Sequence, residues 1–137
     1  MHIAMSRSVL QTHLRKTPEL GENRGMDMRY GDHEPGMWFL VEQEGSLYLD
    51  ARYSYSALID DSALIRLNDT ELAAYLAGDH DVLSDLARRV HNSAPYRSES
   101  PFFSRDLYRS ADGAQYREAV SAAIADHTWI AEQRRKR

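Results

Sequence analysis

Asp79-His80-Asp81, with Asp85 one turn further on, is the densest group of ionisable side chains in the sequence. Carboxylate oxygens and an imidazole at this spacing could ligate a divalent cation or move a proton. His80, Ser84, Arg88 and His91 also share a helix face, at offsets of four, eight and eleven. Arg88 between the two histidines would repel a cation, however. Acidic residues in a first helical turn are also favoured by the helix dipole alone. The helix-start reading is therefore the stronger one. Asp32-His33-Glu34 repeats the acid-histidine composition in a segment bounded by Gly31 and Pro35. Three consecutive residues seldom converge on one ion without partners from elsewhere, so a solvated loop is expected. His127 falls on the apolar side of a helical pattern, where a lone histidine is more often a hydrogen-bonded core residue than a base. No metal and no cofactor is expected.

Motifs that would carry other chemistry are missing. There is no cysteine, which removes disulfides, thiolate zinc sites and cysteine nucleophiles together. No Gly-x-Ser-x-Gly elbow, phosphate-binding glycine loop or His-Glu-x-x-His helix occurs. An enzyme assembled by folding alone stays open as an alternative, with an Asp/His site on the 79–91 helix.

Two surfaces suit binding better. Tyr48, Asp50, Arg52 and Ser54 alternate along one strand and share its polar face. Tyrosine and arginine held on a rigid sheet are good interface anchors. Between Tyr96 and Arg109, aromatic residues interleave with Arg97, Arg105 and Arg109. Such mixing can stack bases and neutralise phosphates, or meet an acidic patch on a protein. The simpler reading docks Phe102, Phe103 and Leu107 on the core and leaves the arginines in water.

The elements that must hold these residues are legible in outline. Met37–Glu44 and Leu47–Ser56 read as two strands joined by a tight Glu44-Gly45 turn. Both sides of the first are apolar, as in a strand covered on both faces. On the second, Leu47, Leu49, Ala51, Tyr53 and Tyr55 form the core side. Asp60-Asp61-Ser62 should turn the chain into a third strand, Ala63–Leu67. Asn68 and Glu71 have capping-box spacing, with Leu72, Tyr75 and Leu76 following. Gly78 stops that helix and Asp79 can cap the next, whose stripe is Val82, Leu83, Leu86 and Val90. Ser100-Pro101 is a further start signal for a short helix. A longer helix follows Asp112-Gly113 and ends in the basic run from Arg134 to Arg137.

These readings combine into an α+β fold. A three-stranded antiparallel meander is followed by three to four helices packed mainly on one face. Residues 1–35 should form an irregular or mobile arm around a helical turn at Val9 to Leu14, and 36–137 one domain. The 137 residues carry a formal charge of −4. Seven Lys and Arg face fifteen Asp and Glu up to Ala87, against ten and six from Arg88 onward. Overall acidity disfavours nucleic acid, although a nucleic-acid-associated protein using the basic C-terminal half stays a second alternative. No run approaches the roughly 18 apolar residues of a membrane span, and Met1 to Leu10 lacks the apolar stretch of a signal peptide. The reading is a small, soluble, cytoplasmic, non-catalytic binding protein. Its partner is another protein or a second copy of itself.

Overall fold

The computed structural model describes residues 26–78 and 80–135. The expectations for the Val9 to Leu14 turn, for Asp79 as a cap and for the tail end at Lys136 and Arg137 lie outside these residues. The order is β1 (Arg29–Glu34), β2 (Trp38–Gln43), β3 (Ser46–Ser56), β4 (Ile59–Arg66), α1 (Asp69–Gly78), α2 (His80–Asn92), a 3-10 turn (Leu107–Arg109) and α3 (Gly113–Arg135). The strands form one antiparallel sheet in sequence order. The α+β class stands.

The meander has four strands rather than three. β1 lies inside the stretch expected to be irregular. Its polar composition disguises it, because an edge strand needs few apolar residues. Pro35-Gly36 makes its turn: Met37 N–H donates to the Glu34 carbonyl at 3.0 Å, with Gly36 at φ 77°. Proline then a positive-φ glycine is the type II arrangement. The next hairpin turns at Glu44 and Gly45, at φ 52° and 85°, as the two-residue loop requires.

Asp60-Asp61-Ser62 does not turn the chain; it lies within β4. The turn is at Ala57-Leu58, where the Ser56 hydroxyl accepts the amides of Leu58 and Ile59. Both aspartates point to solvent and are held by arginines, Asp60 by Arg52 and Asp61 by Arg117. Such ion pairs let an acidic run stay extended.

The helices cover both faces of the sheet, not mainly one. On one face Trp38, Leu40, Leu49, Ala51, Tyr53, Ala63 and Ile65 meet Leu83, Leu86, Ala87 and Val90 of α2, with Phe102. On the other, Val41, Tyr48 and Leu64 meet Ala119, Val120 and Ala123 of α3. Small residues at the α3 contact let that helix lie close to the sheet. Burying each large α2 side chain contributes about 1.5–3 kcal/mol. By contrast α1 buries no residue completely. It is held by its cap: the Asn68 side-chain carbonyl accepts Glu71 N–H at 2.8 Å, and Glu71 Oε1 accepts Asn68 N–H at 2.9 Å.

No helix starts at Ser100-Pro101. Ser100 is buried and its hydroxyl is engaged by Ser93 Oγ at 2.6 Å and Phe102 N–H at 3.0 Å. The chain runs through successive turns to the 3-10 turn, capped by the Asp106 carboxylate. Among the described residues, no helix is long and apolar enough to cross a membrane.

Candidate functional site

β2 and β3 differ in length around their two-residue turn. β2 has six residues and β3 eleven, so β3 runs on after β2 has ended. Pairing stops at Trp38 with Ala51, followed by a bond from Arg52 N–H to the Met37 carbonyl at 2.9 Å. Backbone groups alternate between the two edges of a strand. Since Arg52 N–H points to the β2 side, Ser54 N–H does so too, and Tyr53 N–H points to β4. Among the described residues, no strand lies on the β2 side from Tyr53 to Ser56.

A groove of about 250 Å3 occupies this notch, lined by Gly36, Met37, Arg52, Ser54, Ala87, Arg88 and His91. The last two turns of α2 form its wall. Tyr55 stacks on His91 at 4.7 Å and lies against Tyr96 at 5.6 Å, which fixes the wall to the hairpin. Burial raises the Tyr55 phenol above its usual range, although a backbone bond from Ala94 opposes the shift. At the hairpin tip Leu58 is 94% exposed. Arg52 and Arg88 carry cationic groups here, held by Asp60 at 2.9 Å and Asp85 at 2.6 Å. Both pairs are exposed, so each is worth only about 0–1 kcal/mol and can be exchanged.

The two acid-histidine clusters meet elsewhere. The ladder shifts between Tyr30 and Asp32, so Gly31 is the bulged residue. This places Asp32 and Glu34, opposite Leu40 and Trp38, on the α2 face. There His80 stands between them, Nδ1 at 3.1 Å from Asp32 Oδ2 and Nε2 at 2.7 Å from Glu34 Oε1. Bonds to Glu34 and then Asp32 raise the imidazole above its usual range. Carboxylates at both ring nitrogens favour the doubly protonated ring, whose charge then stands where a bound cation would. On the opposite face Tyr30 O–H meets His33 Nδ1 at 2.7 Å, and His127 stacks on the Tyr30 ring at 3.7 Å. His127 is thus half-buried by ring contact. Asp32-His33-Glu34 is a strand, not the solvated loop expected. Among the described residues, no three acidic or histidine side chains are arranged to hold a metal ion.

The other expected binding residues are dispersed. Tyr48 is buried beneath α3, and the face expected to be open is covered. Asp50 is largely buried with it and accepts the Tyr108 O–H at 2.5 Å. Burial lifts the Asp50 carboxyl above its usual range, although Tyr108 and Ser62 donate to it. Burial, then the Asp50 charge, raises the Tyr108 phenol. Neither residue can anchor a partner from inside the core; of that strand face Arg52 and Ser54 stay exposed. Arg105 is bonded to Glu71 at 2.7 and 3.0 Å and to the Arg66 carbonyl at 3.0 Å. Arg109 lies over Phe103 at 4.6 Å and pairs with Asp106 at 3.5 Å. Arg97 lies over Tyr96 at 5.7 Å and is exposed. The basic-aromatic stretch therefore spends two of its three arginines on internal contacts.

Sequence reasoning missed Tyr55, Leu58, Arg88 and His91 as members of one surface. The readable signal was the longer second run after Glu44-Gly45, which forces an overhang once the turn sets the register. Compared with known protein families, with curated proteins and with solved structures, the chain finds no match.

Proposed function

We propose that this chain is a small, non-catalytic binding protein of the cytoplasm, acting through protein-protein contacts at the β3–β4 hairpin. One observation carries the reading: β3 outruns β2, leaving an exposed hairpin with Tyr55 and Leu58 beside a groove edged by Arg52 and Arg88. Apolar and aromatic groups ringed by arginine have the composition of interface centres. Self-association through the same hairpin belongs to this reading. The test is capture from native lysate by three full-length baits: parent, Arg52→Ala/Leu58→Ser, and Trp129→Ala/Ile130→Ala on the exposed end of α3. The hairpin variant should lose what the parent retains, and the α3 variant should keep it. The opposite pattern overturns the assignment.

A small enzyme is the second reading. Convergence of Asp32, Glu34 and His80 favours it, because the pairing draws on two elements far apart in sequence. Both carboxylates are already engaged by the histidine, and this makes binding the stronger reading.

A further inference from the structure

We propose that the open edge of β3 takes up an extended, acidic segment of the partner by strand addition, lying between the hairpin and α2. The proposal rests on the reading of the groove as a protein contact site and specifies what occupies it.

The sheet leaves few places for another strand. The outer edge of β1 is bulged at Gly31, carries Arg29, Asp32 and Glu34, and runs into Pro35. Bulges, charges and proline are the devices that discourage edge pairing. The outer edge of β4 is engaged at Ile65 by a bridge to Asp106, whose carboxylate also accepts Leu64 N–H at 2.9 Å. The β2-side edge of β3 is regular through Ser54; its register against β4 shifts between Ser54 and Ser56, so Tyr55 is bulged, and the stretch from Arg52 to Ser54 carries neither bulge nor bridge. Tyr53 to Ser56 reads Tyr-Ser-Tyr-Ser, without charge or proline, and among the described residues no strand pairs with it on the β2 side. The regular stretch from Arg52 to Ser54 spans about 10 Å and aims the Ser54 N–H at the open side, enough to seat the start of a short extended segment.

The groove walls choose the chemistry of that segment. Side chains of an added strand would point alternately toward α2 and away from it. Toward α2 they meet Ala87, Arg88 and His91; Arg52 stands on the other side of the sheet. Acids at alternate positions would reach Arg88 and His91, and Asp85 holds Arg88 only through an exposed contact. Backbone bonds would supply affinity and the carboxylates selectivity, as in other strand-addition modes.

The experiment titrates the full chain, labelled with 15N, with the blocked peptide acetyl-Thr-Glu-Val-Glu-Val-Thr-amide and with versions carrying Gln or Lys for Glu. The Glu peptide should shift the amides of Arg52 to Ser56, Gly36, Met37 and Ala87 to His91. Gln should weaken binding at least tenfold, and Lys should abolish it. Ser54→Pro removes the N–H aimed at the open edge without taking a bond from the sheet. It should abolish peptide binding while the thermal melt stays close to the parent. Arg88→Ala/His91→Ala leaves the backbone untouched and should reduce the preference for Glu over Gln to less than twofold. Equal binding of all three peptides, shifts mapped elsewhere, or no binding at millimolar peptide overturns the proposal. Binding that persists in folded Ser54→Pro overturns strand addition while leaving the contact site standing. Concentration-dependent shifts at the same amides without peptide would make a second copy of the chain the occupant.

Discussion

Glu71→Ala should destabilise the protein more than Asn68→Ala, although the cap residue is the asparagine. From spacing alone the opposite order is expected, since Glu71 supplies only the returning bond of a capping box. The folded chain gives the same carboxylate a second partner, the Arg105 guanidinium, at 2.7 and 3.0 Å. The pair is sheltered, with 13% of the Glu71 side chain and 31% of Arg105 exposed. Losing the returning bond costs about 0.5–1 kcal/mol, on the scale of other capping bonds. Losing a charge-assisted pair of this kind costs about 1–2 kcal/mol more. The total is about 1.5–3 kcal/mol, against about 1 kcal/mol for Asn68→Ala. Burial acts to raise the Glu71 carboxyl, but bonds from Arg105 and Asn68 N–H and the Arg105 charge outweigh it, holding the group below its usual value of 4.5. The extra stability is therefore present above that value and lost as pH falls through the lower folded value. Urea melts at pH 7 and pH 3 should show a large gap between parent and Glu71→Gln at the first and a small one at the second. A double-mutant cycle with Arg105→Ala should give about 1 kcal/mol of coupling at pH 7. A Glu71→Ala loss no larger than that of Asn68→Ala, or zero coupling, would refute the reasoning.

Tyr108→Phe takes one of two side-chain donors, Tyr108 and Ser62, from the buried Asp50 carboxyl and should cost about 1–3 kcal/mol in a denaturant melt. Because the Asp50 carboxyl is raised in the folded state, its favourable contribution is full below 3.8 and is lost as pH rises through the folded value; Asp50→Asn should flatten that part of the stability profile. Gly113→Ala drives a methyl into the Tyr108 carbonyl and should cost about 1–3 kcal/mol, read by the same melts. His80 titrates high, so its tie to Glu34 and Asp32 is fully present below 6.5 and is lost as pH rises through the folded value. From pH 6 upward the Tm advantage of the parent over His80→Gln should fall toward zero.

What the sequence showed plainly was whatever rests on local signals. The Glu44-Gly45 turn, the Asn68/Glu71 box, the α2 stripe and the start of α3 each depend on residues within one turn. β1 was missed because its residues are polar and its turn signal, Pro35-Gly36, was read as the close of a loop. The Asp60-Asp61-Ser62 run misled for the converse reason: turn-like residues stay extended when arginines from β3 and α3 neutralise them. The covered second face was illegible at Tyr48 and Asp50, since alternation shows which residues share a face but not whether a helix returns to cover it. The candidate site suffered most. Alternation along β3 places Arg52 on the polar face, where it is exposed, whereas spacing alone places Arg88 and His91 only on a helix face. Only the tertiary packing of α2 against the β3 overhang brings them to the groove.

Amide hydrogen exchange of the free protein tests the central claim, an unpaired β3 edge, most directly. Arg52 N–H is bonded to Met37 and Tyr53 N–H faces β4, so both should exchange slowly. Ser54 N–H, aimed past the end of β2, should exchange at close to the rate of an unstructured peptide. Slow exchange at Ser54, equal to that of its two neighbours, would mean that the edge is already covered in the free protein and would contradict the account.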